Sequence, residues 1–175
     1  MFNYYIERFI YYKDLLLKYY QNITFVNMKI DEIDKKILNV LLGNSRLSYR
    51  EIAKKVGVSV VTIMKRVKEL EKEKIVKGYT AELDYEKLGF DVSAVIKMRI
   101  SKGMLFEVEK KIAVDPHVFA VYDVTGDFDS IIIAKFKSRK AMDSFLKKIQ
   151  TYEFVERTET VLVLNTIKEK NIKIN

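Results

Sequence analysis

The sequence predicts an α+β fold in two successive parts, a three-helix unit followed by a βαββαβ sheet unit. Three observations carry this. From Ile33 to Leu70 the apolar residues recur at the three- and four-residue steps of amphipathic helices. From Val92 onward they gather instead in the short strand-like runs VSAVIKMRI, VFAVYDV and SIIIAKF, separated by helical stretches. The charge divides at the same place: residues 28–79 hold 13 Lys and Arg against 7 Asp and Glu, whereas residues 91–165 hold 12 against 11.

The stretch from Ser48 to Glu73, SYREIAKKVGVSVVTIMKRVKELEKE, organises the first part. Ser48 and Glu51 have the spacing of a capping box, in which each side chain satisfies the other residue's free backbone amide. Ile52, Ala53 and Val56 share a face of the helix that follows, and Gly57 stands where a helix end favours a left-handed residue. Ser59 caps a second helix whose Ile63, Val67 and Leu70 form a buried stripe. The short turn and the small Ala53 suit the steep crossing of a helix-turn-helix better than a helical hairpin. The second helix turns Val61, Thr62, Lys65, Lys68 and Lys72 outward, with Arg66 at the edge of that arc. A row of lysines is most simply a solvated surface. In a helix-turn-helix, however, the first turns of this helix enter the DNA major groove, and helix N-termini face phosphate. The expected DNA contacts are therefore Ser48, Tyr49, Ser59, Val61, Thr62, Lys65, Arg66 and Lys68.

Asp31 caps a preceding helix with the stripe Ile33, Ile37, Val40 and Leu41, ended by Gly43 and Asn44. After the second helix of the pair, IVKGYTAEL alternates around Gly78 and is expected to form a two-stranded wing. Lys77 and Tyr79 would then lie near bound DNA, Lys77 joining the contact set. Residues 28–83 thus read as a winged helix-turn-helix, and residues 84–90, with Gly89, as a hinge.

Residues 91–167 read as strand, helix (Met104 to Val114), two strands, helix (Lys140 to Ile149) and a last strand in VERTETVLVL. Two strand-helix-strand halves of this kind build a ferredoxin-like antiparallel sheet covered by helices on one face. The other face should be polar, but it is not. Simple alternation puts Val118, Ala120, Tyr122 and Val124 on one face and Phe119 and Val121 on the other, and Ile131, Ile132, Ile133 and Ala134 are apolar on both. An apolar uncovered face needs a cover, and a second copy of the chain supplies one. A dimer through this sheet is expected, with a charge at Ile132 breaking it. Residues 168–175 form a tail.

Composition excludes other classes. The chain has no cysteine, hence no disulfide scaffold, thiolate metal site or cysteine nucleophile. Its one histidine, His117, has no clustered partner for a metal site or a Ser/His/Asp triad. Residues 1–27 hold 9 of the 21 Tyr and Phe residues and no glycine or proline. Charges at Glu7, Arg8, Lys13, Asp14 and Lys18 interrupt this segment too often for a membrane span, and it lacks the layout of a secretory signal. It reads either as a helix packing on a partner or as residues upstream of the true start at Met28.

The segments IDEIDKKILNVLL, LSYREIAKKVGVSVVTIMKRVKELE, IVKGYTAELDYEKLGF and VYDVTGDFDSIIIAKF, in that order, resemble the Lrp/AsnC, or feast/famine, transcription regulators from Met28 to about Ile167. The resemblance implies a RAM/ACT-like second domain and a cytoplasmic DNA-binding regulator. It further implies dimerisation through the second domain, frequent assembly into octamers, and an amino-acid effector. A two-fold dimer would set two recognition helices on one face, so the expected partner is double-stranded DNA with a pseudo-palindromic site, and no cofactor or metal is expected. Residues 1–27 depart from the family pattern.

Gly126, Asp127, Phe128 and Asp129 are first of all good hairpin-turn residues. In the family the equivalent turn borders the effector site between dimers. Carried over, Asp127 and Asp129 would receive an α-amino group, with Thr158 and Thr160 near a carboxylate or side chain, and Tyr122, Thr125, Gly126 and Phe128 completing the site. Glutamine is the expected effector. An enzyme on the ferredoxin-like half would need a catalytic set that the sequence lacks. A chromatin-like protein binding DNA without sequence preference or effector is the remaining alternative.

Overall fold

The computed structural model describes residues 29–175 apart from residue 102; the reading of residues 1–27 lies outside this range. The chain divides into two units, one running to Thr80 and rejoined by Asn171–Asn175, the other spanning Ala81–Lys170.

In the first unit, helices α1 (Glu32–Gly43), α2 (Tyr49–Val56) and α3 (Val60–Lys72) form in the expected order. Asp31 caps α1 by accepting from the amides of Ile33 and Asp34, both at 2.9 Å, and Asp34 returns the bond to the Asp31 amide. Gly57 ends α2 at φ +82°, a left-handed conformation in which a side chain would be strained. Its amide closes the helix on the Ala53 carbonyl at 2.8 Å. Ile37, Ile52, Ala53, Val56, Ile63, Val67 and Leu70 make the core. Each fully buried Ile or Leu contributes roughly 1.5–3 kcal/mol relative to exposure.

Where the wing is expected, residues 75–83 carry no strand ladder. A tight hairpin would want a left-handed central residue, and Gly78 is not among the positive-φ glycines. After Lys74, at φ +58°, the amides of Ile75 and Val76 both bond the Leu70 carbonyl, wrapping the chain over the end of α3. The Tyr79 hydroxyl donates to Glu71 at 2.8 Å, and burial together with that carboxylate pushes its pKa to about 12. The end of the tail packs on this unit, where Asn39 and Ile174 exchange two hydrogen bonds of 2.7 and 3.0 Å.

The second unit follows the expected order: β1 (Val92–Ile100), α4 (Leu105–Ala113), β2 (Val118–Asp123), β3 (Ser130–Phe136), α5 (Arg139–Gln150) and β4 (Val155–Leu162). The sheet order is β2-β3-β1-β4, with each neighbouring pair antiparallel. Ala94, Ile96, Met98, Ile132, Ala134 and Phe136 face α4 and α5, where Leu105, Val108, Ile112, Phe145 and Ile149 complete the core.

Two face assignments need correction. Ile132 is fully buried on the helix side, so the open face is lined by its neighbours Ile131 and Ile133. An irregularity between Val118 and Ala120 shifts the β2 register, pairing Val118 with Ala134 but Ala120 with Ile133. Val118 and Val121 therefore join the core, while Ala120 and Tyr122 lie on the open face, against simple alternation. That face still carries the apolar side chains Val95, Ala120, Tyr122, Ile131, Ile133 and Val161.

Candidate nucleic-acid interface and effector turn

The outward side of α3 sorts the expected DNA contacts by what each side chain already holds. Val61 is 75% exposed, the most exposed large apolar residue of the helix. Lys65, Lys68 and, beyond the helix, Lys77 are exposed as well. Val61, Met64, Lys65 and Lys68 stand at i, i+3, i+4 and i+7, one contiguous strip.

Other members of the set are engaged within the chain. The Ser48 hydroxyl donates to Glu51 at 2.7 Å, and the two bonds from Ser48 lower the Glu51 pKa. Ser59 accepts from the Thr62 amide at 3.1 Å, and the two hydroxyls lie 2.8 Å apart. Tyr49 packs against the helical core. Arg66 departs most from expectation: its guanidinium reaches Asp31 at 2.8 Å and Asp34 at 3.1 Å. Asp34 is fully buried, and a buried carboxylate needs such a partner. Arg66 thus locks α3 to α1 rather than pointing to phosphate.

In the second unit, the turn between β2 and β3 is held from two sides. Asp129 accepts from the Ile100 amide at 2.9 Å, at the point where the β1–β4 register shifts, and its own amide bonds the Met98 carbonyl at 2.9 Å. Gly126 adopts φ +120°. Arg99 donates through Nε and Nη2 to the Asp127 carbonyl at 3.0 and 2.6 Å, while the Asp127 side chain is exposed. Phe128 lies near two cations, Lys97 Nζ at 5.7 Å and the Arg157 guanidinium at 5.6 Å from the ring centre. Lys97 also pairs with Glu159 at 2.8 Å, which holds the Glu159 pKa down.

Lys97, Arg99 and Arg157 stand opposite the buried Ile96, Met98 and Ile100 in alternation, so this cluster lies on the open face of the sheet. Sequence reasoning missed it, although two basic residues at alternate positions of an otherwise apolar strand are a usable signal. Thr158 and Thr160 lie on the other side: they pair with the buried Met98 and Ile96, and Thr158 accepts from Gln150 of α5 at 3.1 Å. Within one chain, then, the turn meets Lys97, Arg99 and Arg157 and not the two threonines. Behind the turn, Glu109 and Asp123 have raised pKa values, chiefly through burial. Asp129 adds to both shifts, and Ser130 opposes that of Glu109.

A helix-turn-helix whose second helix exposes such a strip is the architecture of a DNA-binding regulator. Residues 30–77 match a winged helix-turn-helix DNA-binding family and residues 93–172 the Lrp/AsnC ligand binding domain. The chain belongs to the Lrp/AsnC family of transcriptional regulators. It is 48% identical to an uncharacterised HTH-type transcriptional regulator of Pyrococcus furiosus over 142 residues, 81% of this chain and 96% of that one. Its fold resembles Escherichia coli AsnC with a TM-score of 0.78 and 32% identity, covering 83% of this chain and 99% of the other. A transcriptional regulator of Neisseria meningitidis solved as an L-Met complex has a TM-score of 0.77 and 27% identity, covering 84% and 97%. No helix among the described residues is long and apolar enough to cross a membrane.

Proposed function

We propose that this chain is a sequence-specific regulator that binds a pseudo-palindromic DNA site as a dimer and answers to a neutral amino acid. The observation that carries the DNA half is the division of labour on α3. Ile63, Val67 and Leu70 are buried and Arg66 is paired internally, yet the Val61 to Lys68 strip is left to solvent with no fold role. A basic strip on the second helix of such a pair suits major-groove docking, with phosphate neutralisation giving affinity that falls steeply with salt.

The apolar open face of the sheet supports a dimer, since a second copy would cover Ile131, Ile133 and Tyr122. Two-fold symmetry would then present two recognition helices to half-sites one helical turn, or a multiple of it, apart. Octamers built from such dimers are the expected higher assembly. A DNA ligand supports the cytoplasm as its compartment.

The Gly126 to Asp129 turn supports the effector half. Its exposed Asp127 carboxylate can receive an ammonium group, and Arg157, beside Phe128 of the same turn, offers a cation for a carboxylate. L-methionine is bound by the Neisseria meningitidis regulator and by a Mycobacterium tuberculosis feast or famine regulatory protein of 26% identity. Glutamine, our expected effector, shares an unbranched neutral side chain of similar length. Thr158 and Thr160 could contribute only across an interface between chains.

Calorimetry of the full chain against all twenty amino acids, paired with light scattering, tests the effector reading. Heat from glutamine or methionine together with a changed oligomer distribution supports it, because a ligand shifts an assembly equilibrium only through differential affinity. No heat from any amino acid removes the effector and favours the effector-free alternative.

A further inference from the structure

The strip on α3 has an unusual order of chemistry for a surface that reads DNA. Its leading position is apolar: Val61 is 75% exposed, and Met64 and Val60 beside it are 39% and 37% exposed. The hydroxyls of the first turn are partly engaged within the helix. Ser59 Oγ accepts the Thr62 amide, and the Ser59 and Thr62 hydroxyls share one hydrogen bond of 2.8 Å, which draws both toward the helix cap. Arg66, whose planar fork could hold a guanine at two points, is held instead by Asp31 and Asp34. Across the first two turns, the one long donor left to solvent is Lys65.

The major groove displays four kinds of base edge, and the C5-methyl group of thymine is the apolar one among them. A branched valine at the tip of the helix offers nothing to an N7, O6 or N4 group and would bury those groups at a cost. Against a methyl it exchanges two hydrated apolar surfaces for one contact. Met64, one turn on, is flexible enough to close over the same methyl. Lys68 and Lys77, farther from the tip, supply the attraction to phosphate that brings the helix to the groove but carries no sequence information.

We infer that the recognition helix of this chain reads thymine through its C5-methyl group, with Val61 as the specificity-determining contact and Met64 closing beside it. The inference rests on the proposed DNA function and deepens it by naming the base feature that is read.

The test uses the full chain and a duplex enriched by it from random double-stranded DNA, with affinities measured by fluorescence anisotropy at one fixed salt concentration. Each thymine of the enriched duplex is replaced singly by deoxyuridine, which pairs identically and lacks only the methyl. One position per half-site should lose about fourfold in affinity, the effect of removing one buried methyl from the contact. Val61→Ala should weaken binding to the thymine duplex by a similar factor and abolish the difference between thymine and deoxyuridine there. Val61 is surface-exposed, so this variant keeps its fold, and circular dichroism checks that it does. Unchanged affinity for every deoxyuridine duplex, or a penalty that persists in Val61→Ala, overturns the methyl readout while leaving sequence-specific binding in place. Failure of the selection to enrich any sequence removes the DNA reading itself, and the methyl readout with it.

Discussion

Arg66 on α3 and Asp34 on α1 form an ion pair, Nη1 to Oδ2 3.1 Å, in which the carboxylate is wholly buried and the guanidinium also reaches Asp31 at 2.8 Å. The pair fixes the helix that carries the candidate base-reading residues to the helix that precedes the motif. Its loss is a stability event before it is a binding event. Arg66→Ala leaves Asp34 buried without its cation and should destabilise the first unit by on the order of 2 kcal/mol, below the usual figure for a fully buried pair because Arg66 is partly exposed. Calorimetric melting should show the drop at every salt concentration. An unchanged melting temperature with weaker DNA binding would return Arg66 to the phosphate-contacting set.

Lys65→Ala is the complementary experiment. Its side chain is exposed, so stability should hold while specific DNA binding weakens by roughly 1–3 kcal/mol if it reads a base. Anisotropy with an enriched and a scrambled duplex separates the cases. An equal loss on both makes Lys65 a phosphate contact.

The dimer is tested at the sheet, at positions set by the register. Ile131→Asp and Ile133→Asp put a charge on the open face and should give folded monomers that melt below the dimer, read by light scattering and circular dichroism. Ile132→Asp puts the charge inside the core, where it costs several kcal/mol and should unfold the domain. Intact dimers of the Ile131 and Ile133 variants would rule out the sheet as the interface.

Glu109 gives a pH signature. Its Oε1 is buried without a hydrogen-bond partner, and burial raises its pKa in the folded state. The folded protein therefore binds the proton more tightly than the unfolded chain. Stability should be fuller below the ordinary carboxylate range and fall as pH rises through the raised value. Glu109→Gln should flatten that slope and raise the neutral-pH melting temperature, since an amide carries no charge to desolvate. Thermal melts from pH 4 to 8 check this, and an identical slope in both proteins would place the titration elsewhere.

Asp127→Ala should abolish the heat of amino-acid binding and the change in assembly while leaving DNA affinity without effector unchanged. The carboxylate is exposed and the turn is held through its backbone carbonyl, which the substitution keeps. Full-strength effector binding by this variant would move the ammonium site away from the turn.

What was legible in the sequence was local. Asp31, Ser48, Ser59 and Gly57 act within a few residues of themselves, so their caps and turns follow from spacing alone. The order of strands and helices along the chain was equally readable, because each apolar run is bounded by a helix or, between Asp123 and Ser130, by a glycine-containing turn. What could not be read depends on distant partners. Arg66 meets Asp34 across 32 positions and Arg99 meets Asp127 across 28, and no local pattern announces either pairing. The irregularity between Val118 and Ala120 turns Ala120 and Tyr122 to the open face, as one extra residue does in a two-residue period. In the run of three isoleucines alternation fixes that Ile131 and Ile133 share a face, but only the pairing with β1 shows which face it is.

Tuning of sequence-specific DNA binding by a neutral amino acid can be read in one titration. The ratio of affinities for an enriched duplex and a scrambled duplex of equal length is measured at a single salt concentration, with and without saturating glutamine or methionine. Specific binding should be at least about 10³-fold tighter than non-specific binding, and the affinity for the enriched site should change when the amino acid is added. A ratio near one, unmoved by any amino acid, would instead describe a protein that coats DNA without reading it.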